Sequence, residues 1–152
     1  MNQLETIRQA IIARLEEIPE IGIVHDHQPY IKSEQELRAL YVDDGLLLGW
    51  YVRRIATKEQ AGAIGQWIET HTWMIWGVMA LGDQGGSEIE FDGLIEQIRD
   101  AFREDQDLGG VVALTATHEV AGIQVEKSEP VLFCGVLCHS VQLVLNTVSY
   151  RY

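Results

Sequence analysis

The apolar positions of this chain change period repeatedly, and each change marks an element. Leu4, Ile7, Ile11, Leu15 and Ile18 recur at three and four with charged residues between them, which predicts an amphipathic helix of about four turns. Asn2 and Glu5 have the spacing of a capping box at its start, and Pro19 and Gly22 end it. Ile21 to Val24 then predicts a short strand. Pro29 to Gly45 is polar; Ser33 with Glu36 can cap a single helical turn, and Asp44-Gly45 marks a tight turn. Leu46 to Ala56 predicts a long strand, Lys58 to Gly65 a flexible loop with two glycines, and Trp67 to Val78 an aromatic strand. Leu46 to Met79 thus reads as a large hairpin with a long, mobile tip.

The aromatic strand leads into Gly82-Asp83-Gln84-Gly85-Gly86, a turn rich in positions that tolerate positive φ. Ser87-x-x-Glu90 predicts a capping box for the next helix. In that helix Ile89 or Phe91, Leu94, Ile95, Ile98, Ala101 and Phe102 form one apolar stripe, and Asp107 to Gly110 ends it. Val111 to Thr115 and His118 to Val120 predict a strand region, and Gly122 to Ser128 a half-buried strand broken by Glu129-Pro130. Val131 to Val148 predicts a long apolar strand bent near Gly135. The order gives one α+β domain over residues 1–152, a mainly antiparallel sheet with two principal helices packed on one face and a long β-hairpin.

Composition narrows the function. At 152 residues with 47% hydrophobic positions, the chain can bury a substantial core. No apolar run approaches the roughly 20 residues of a membrane helix, and no signal-peptide pattern opens the chain, so a soluble, non-secreted protein is expected. Eleven Lys and Arg stand against 23 Asp and Glu, for a net charge of −12. Nucleic-acid binding by phosphate neutralisation needs clustered cations, and only Arg53 and Arg54 are adjacent. On a strand those two face opposite sides.

The search for chemistry returns little. There is no G-x-S-x-G, P-loop, dinucleotide fingerprint or H-E-x-x-H pattern, so no catalytic residue and no cofactor is assigned. His25-Asp26-His27 is the one metal-like cluster, since an H-x-H pair puts both rings on one side of a strand, but no second ligand cluster accompanies it. Cys134 and Cys138 on one strand would be about 13 Å apart, too far for a disulfide, and are expected as reduced thiols. Cys138 and His139 point to opposite faces and cannot form a nucleophilic pair. His71 and His139 are expected to be buried or at an interface.

The aromatic strand ending in Met79-Ala80-Leu81-Gly82-Asp83, the helix Ile89 to Ile98 with Ala101-Phe102, Leu108-Gly109-Gly110 and the long final strand resemble the tail terminator and tail completion proteins of long-tailed bacteriophages. The resemblance covers most of the chain after about Trp67 and, more loosely, the first helix. It implies a structural virion protein without enzymatic activity, located in the tail or neck and assembled in the host cytoplasm. It further implies a homohexameric ring that caps the tail tube, stops tube polymerisation and meets the head-side connector, while DNA passes without specific binding. The acidic excess fits such a pore, because negative walls give phosphates nothing to bind. Trp50, Arg53, Arg54, Lys58, Trp67 and Trp73 on the hairpin are the candidate interface residues, Trp being enriched at interface centres. The rival readings are a head-side connector or stopper of the same neck, and a metal-dependent enzyme using His25, Asp26 and His27.

Overall fold

The computed structural model describes residues 2–82 and 85–152. In chain order the elements are α1 (Gln3–Glu16), β1 (Ile23–His25), α2 (Glu34–Ala39), β2 (Val42–Asp43), β3 (Leu46–Ala61), β4 (Trp67–Ala80), α3 (Ser87–Glu104), β5 (Gln124–Phe133) and β6 (Val136–Arg151). The strands form one sheet in the order β1-β3-β4-β6-β5, with β2 paired to β3 off that path. β1 runs parallel to β3, and every other pairing is antiparallel. This is the expected α+β class.

α1 begins as its sequence indicates: the Asn2 side chain accepts a hydrogen bond from the Glu5 amide at 2.8 Å. Its stripe of Ile7, Ile11 and Leu15 is wholly buried. α3 buries Phe91, Leu94, Ile95, Ile98 and Phe102, while Ile89 stays exposed. Both stripes meet the same sheet face, where Trp50, Val52, Trp73, Ile75, Leu143 and Leu145 alternate inward. The opposite face is partly covered by α2, whose Leu37, with Leu40, packs on a smaller cluster of Tyr41, Leu47, Val78 and Cys138.

Two glycines make room for this packing. A Cβ on Gly77 would overlap the Trp50 ring, and one on Gly49 would overlap Tyr41 on the other face. Trp50 also donates its indole N–H to the Ile21 carbonyl at 2.7 Å and stacks on Phe91.

Several expectations give way to the structure. Ser87 does not cap α3: Gly86 holds the N-cap position in a left-handed conformation, and the Ser87 hydroxyl pairs with His139 Nε2 at 2.8 Å. A cap contributes about 1 kcal/mol, whereas each fully buried aliphatic side chain contributes roughly 2 kcal/mol, so the stripe of α3 suffices. Asp83 and Gln84 of the expected glycine-rich turn lie outside the described residues. Lys58 to Ala61 is strand rather than flexible loop, because each residue has a cross-strand partner down to Ala61 and Trp67. Ala113 to Val120 makes isolated bridges and no strand, since Leu108, Gly109, Gly110 and Gly122 take positive φ and keep turning the segment. Pro130 does not break β5, because that strand is at the sheet edge and Pro130 occupies a position paired only with His139. The bend at Gly135 is a two-residue hairpin turn: Cys134 and Gly135 both have positive φ, so the two cysteines do not share a strand.

Candidate functional site

The outer strands β1 and β5 are shorter than the three between them. β1 pairs with β3 only from Gly49 to Tyr51, and β5 follows β6 only as far as Val144. Beyond these limits β3, β4 and β6 continue together until Ala61 meets Trp67 and Trp67 meets Arg151. The expected hairpin is therefore two arms of a three-stranded ribbon with a short tip. Gln66 closes that tip by accepting from the Ala63 amide at 3.1 Å and donating to the Tyr152 hydroxyl at 3.1 Å. Ile64, Trp67, Tyr150 and Tyr152 lie exposed at the ribbon's end, with Trp67 at 51% and Tyr152 at 92%.

The six candidate interface residues separate into three pairs. Trp50 and Trp73 are 0% exposed and belong to the core, so neither is available to a neighbour. Trp73 donates to Thr147 Oγ1 at 3.0 Å and carries the Arg8 guanidinium 5.5 Å above its ring. Strand alternation sends both indoles toward α1 and α3, the one covered face, which the sequence pattern alone could not assign. Lys58 and Trp67 are on the exposed ribbon. Arg53 and Arg54 do face opposite sides: Arg53 donates to Gln28 Oε1 at 2.9 Å and Arg54 to Thr57 Oγ1 at 2.8 Å. A bulge at Ile55, between these pairs and Ala56, shifts the register there.

A polar chain ties the ribbon's strands together. Thr57 Oγ1 on β3 lies 2.7 Å from His71 Nδ1 on β4, and His71 is buried. His71 Nε2 approaches Glu69 Oε1 at 2.7 Å, an ion-pair distance rather than an aligned hydrogen bond. Arg151 on β6 stands 3.7 Å from the other Glu69 oxygen and donates to Gln3 Oε1 of α1 at 2.6 Å. The chain spans three strands and a helix, so it ties the end of the ribbon to the start of α1. The sequence left His71 as buried or at an interface and gave none of its partners; the signal was period two, since Glu69, His71 and Trp73 share a face.

The remaining polar groups are used locally. His25 Nε2 lies 2.8 Å from the Leu40 carbonyl, and its ring meets Tyr41 edge-on. His27 Nδ1 lies 2.6 Å from its neighbour Asp26 Oδ1, and this hydrogen bond holds the Asp26 carboxyl below its ordinary range. The His-x-His pattern is thus divided between a backbone carbonyl and an exposed side-chain pair. Among the described residues no three potential ligands converge on a metal position. Both thiols are free; Cys138 is buried, and desolvation pushes it up to about 11. Among the described residues no helix is long and apolar enough to cross a membrane.

No family model and no curated protein matches the chain. A solved chain without a descriptive name aligns with all of this chain and 99% of its own length, at 17% identity and a TM-score of 0.47.

Proposed function

We propose that this chain is a structural virion protein that assembles as a ring on the end of a phage tail tube, ends tube polymerisation and joins the tube to the head-side connector. The observation that carries this reading is the three-stranded ribbon, with apolar and aromatic side chains exposed at its end and its strands tied together by the Thr57–His71–Glu69–Arg151 chain. Exposed aromatic and apolar groups gathered at one end of a sheet suit a binding surface between subunits. The family resemblance of the sequence supplies the identity of the neighbours: a homohexamer of this chain, the tube protein and the connector. The net charge of −12 supports passage of DNA through the ring without adhesion.

A head-side connector or stopper would use the same kind of surface with different neighbours. Adding the purified chain to polymerising tube subunits separates the two, because a terminator arrests tube length and a stopper leaves it unchanged. The metal-enzyme reading draws no support from His25 and His27, which are engaged separately.

A further inference from the structure

At the opposite end of the same strands lies a surface that complements the ribbon's tip. A groove of about 1300 Å3 opens where β3 begins and β4 ends. Leu47, Met79 and Leu94 line it, and Val42, Leu46 and Leu81 are exposed around it. Glu16, Glu17, Glu20, Asp43 and Glu90 border it, against the single cation Arg38, whose guanidinium already donates to the Cys134 carbonyl. Glu17 is paired with Arg14; among the described residues the other four carboxylates make no salt bridge.

The ribbon offers the counterpart. Ile64 and Trp67 provide apolar surface at its end, and Lys58 and Arg151 are exposed cations near them, Arg151 also donating to Gln3, with Glu59 as the exposed acid among them. In a chain of net charge −12, copies repel one another unless an interface sets its few cations against carboxylates. The two surfaces cannot meet within one molecule, because the strand from Leu48 to Ala61 separates them by roughly 40 Å at about 3.3 Å per residue.

We propose that the ribbon tip of one copy docks in the groove of the next, Ile64 and Trp67 against the apolar lining and Lys58 and Arg151 against the acidic border. The contact is heterologous, so successive copies are joined head to tail, the arrangement that closes into a ring when its rotation permits. This inference rests on the ring reading above and specifies the surfaces that would make the ring.

The test uses native mass spectrometry of the full chain at millimolar concentration, where even a contact with Kd of about 1 mM is substantially occupied. Ile64→Asp spoils the tip and Leu46→Asp the groove; both positions are exposed, and unchanged circular-dichroism melts confirm folding. The wild-type chain is expected as a multimer and each variant alone as a monomer. Mixing the two variants leaves one intact tip and one intact groove, so a one-to-one dimer forms and nothing larger. Lys58→Glu weakens assembly, and combining it with Glu90→Lys restores it. A wild-type multimer that tolerates both aspartates overturns this interface and leaves the ring reading intact. A variant mixture that stays monomeric overturns it too. A monomeric wild type also overturns the interface, and the tube-arrest assay then judges the ring reading separately.

Discussion

Trp50 lies across Gly77: the two are cross-strand partners in β3 and β4, and the indole occupies the space a Cβ on Gly77 would need. The same ring stacks on Phe91 of α3, so one small residue sets how closely that helix approaches the sheet. Gly77→Ala is predicted to destabilise by about 1 to 3 kcal/mol, the usual penalty for overfilling a packed core. Gly93, inside α3 with open space where its Cβ would stand, makes the contrasting case. There alanine is predicted to stabilise by up to about 1 kcal/mol through helix propensity. Urea unfolding measures both, with midpoints moving in opposite directions and the m-value unchanged.

The ribbon's polar chain makes a coupled prediction. Thr57→Val keeps the strand preference but removes the group facing His71 Nδ1 and Arg54. His71→Leu removes the buried ring and leaves Glu69 beside Arg151 alone. A double-mutant cycle on stability is expected to return a coupling of about 1 kcal/mol, and additivity would show that the two side chains do not cooperate.

The thiols predict a pH dependence. Burial, and secondarily the nearby Cys134, raise Cys138 from 9.0 to about 11. A folded-state value above the unfolded one means the folded state holds its proton longer. The associated stability is complete below pH 9.0 and declines as pH rises toward about 11. Tyr41, buried beneath α2, is shifted upward as well and extends the decline to higher pH. Alkylation with iodoacetamide is expected to modify half-buried Cys134 in the native protein and Cys138 only on unfolding. Equal rates would contradict the burial of Cys138.

The elements carried by strong period or by capping residues were legible. Asn2, the stripes of α1 and α3, Ser33 at the start of α2 and the Asp44-Gly45 turn all stand where the sequence indicates. Serine at position 87 misled, because its hydroxyl had a better partner in His139, far along the chain. Lys58 to Ala61 has a loop's composition yet forms strand, with only Gly62 to Gly65 left as a turn, since β6 supports β4 to its very end, a long-range fact that composition does not carry. Pro130 misled for a related reason: whether a proline breaks a strand depends on edge position, which only the topology reveals. Trp50 and Trp73 showed that an indole on a strand cannot be assigned to core or interface until the covered face is known. The groove at the start of β3 gathers residues from α1, β2, β4 and α3, and no local pattern announces such a convergence.

The pore of the proposed ring offers a further check. Its walls are predicted to be net acidic, in keeping with 23 carboxylates against 11 cations, so that DNA phosphates find no counterions. A cryo-EM map of the ring on a tail reads this directly, and a lumen lined by Lys and Arg would contradict it.

The most direct test of the central claim is tube length. Phage tail-tube subunits are polymerised with and without the purified chain and measured by negative-stain electron microscopy. The account predicts short tubes of arrested length, each carrying a ring of this chain at one end. Tubes of unchanged length, with no ring attached, would contradict it.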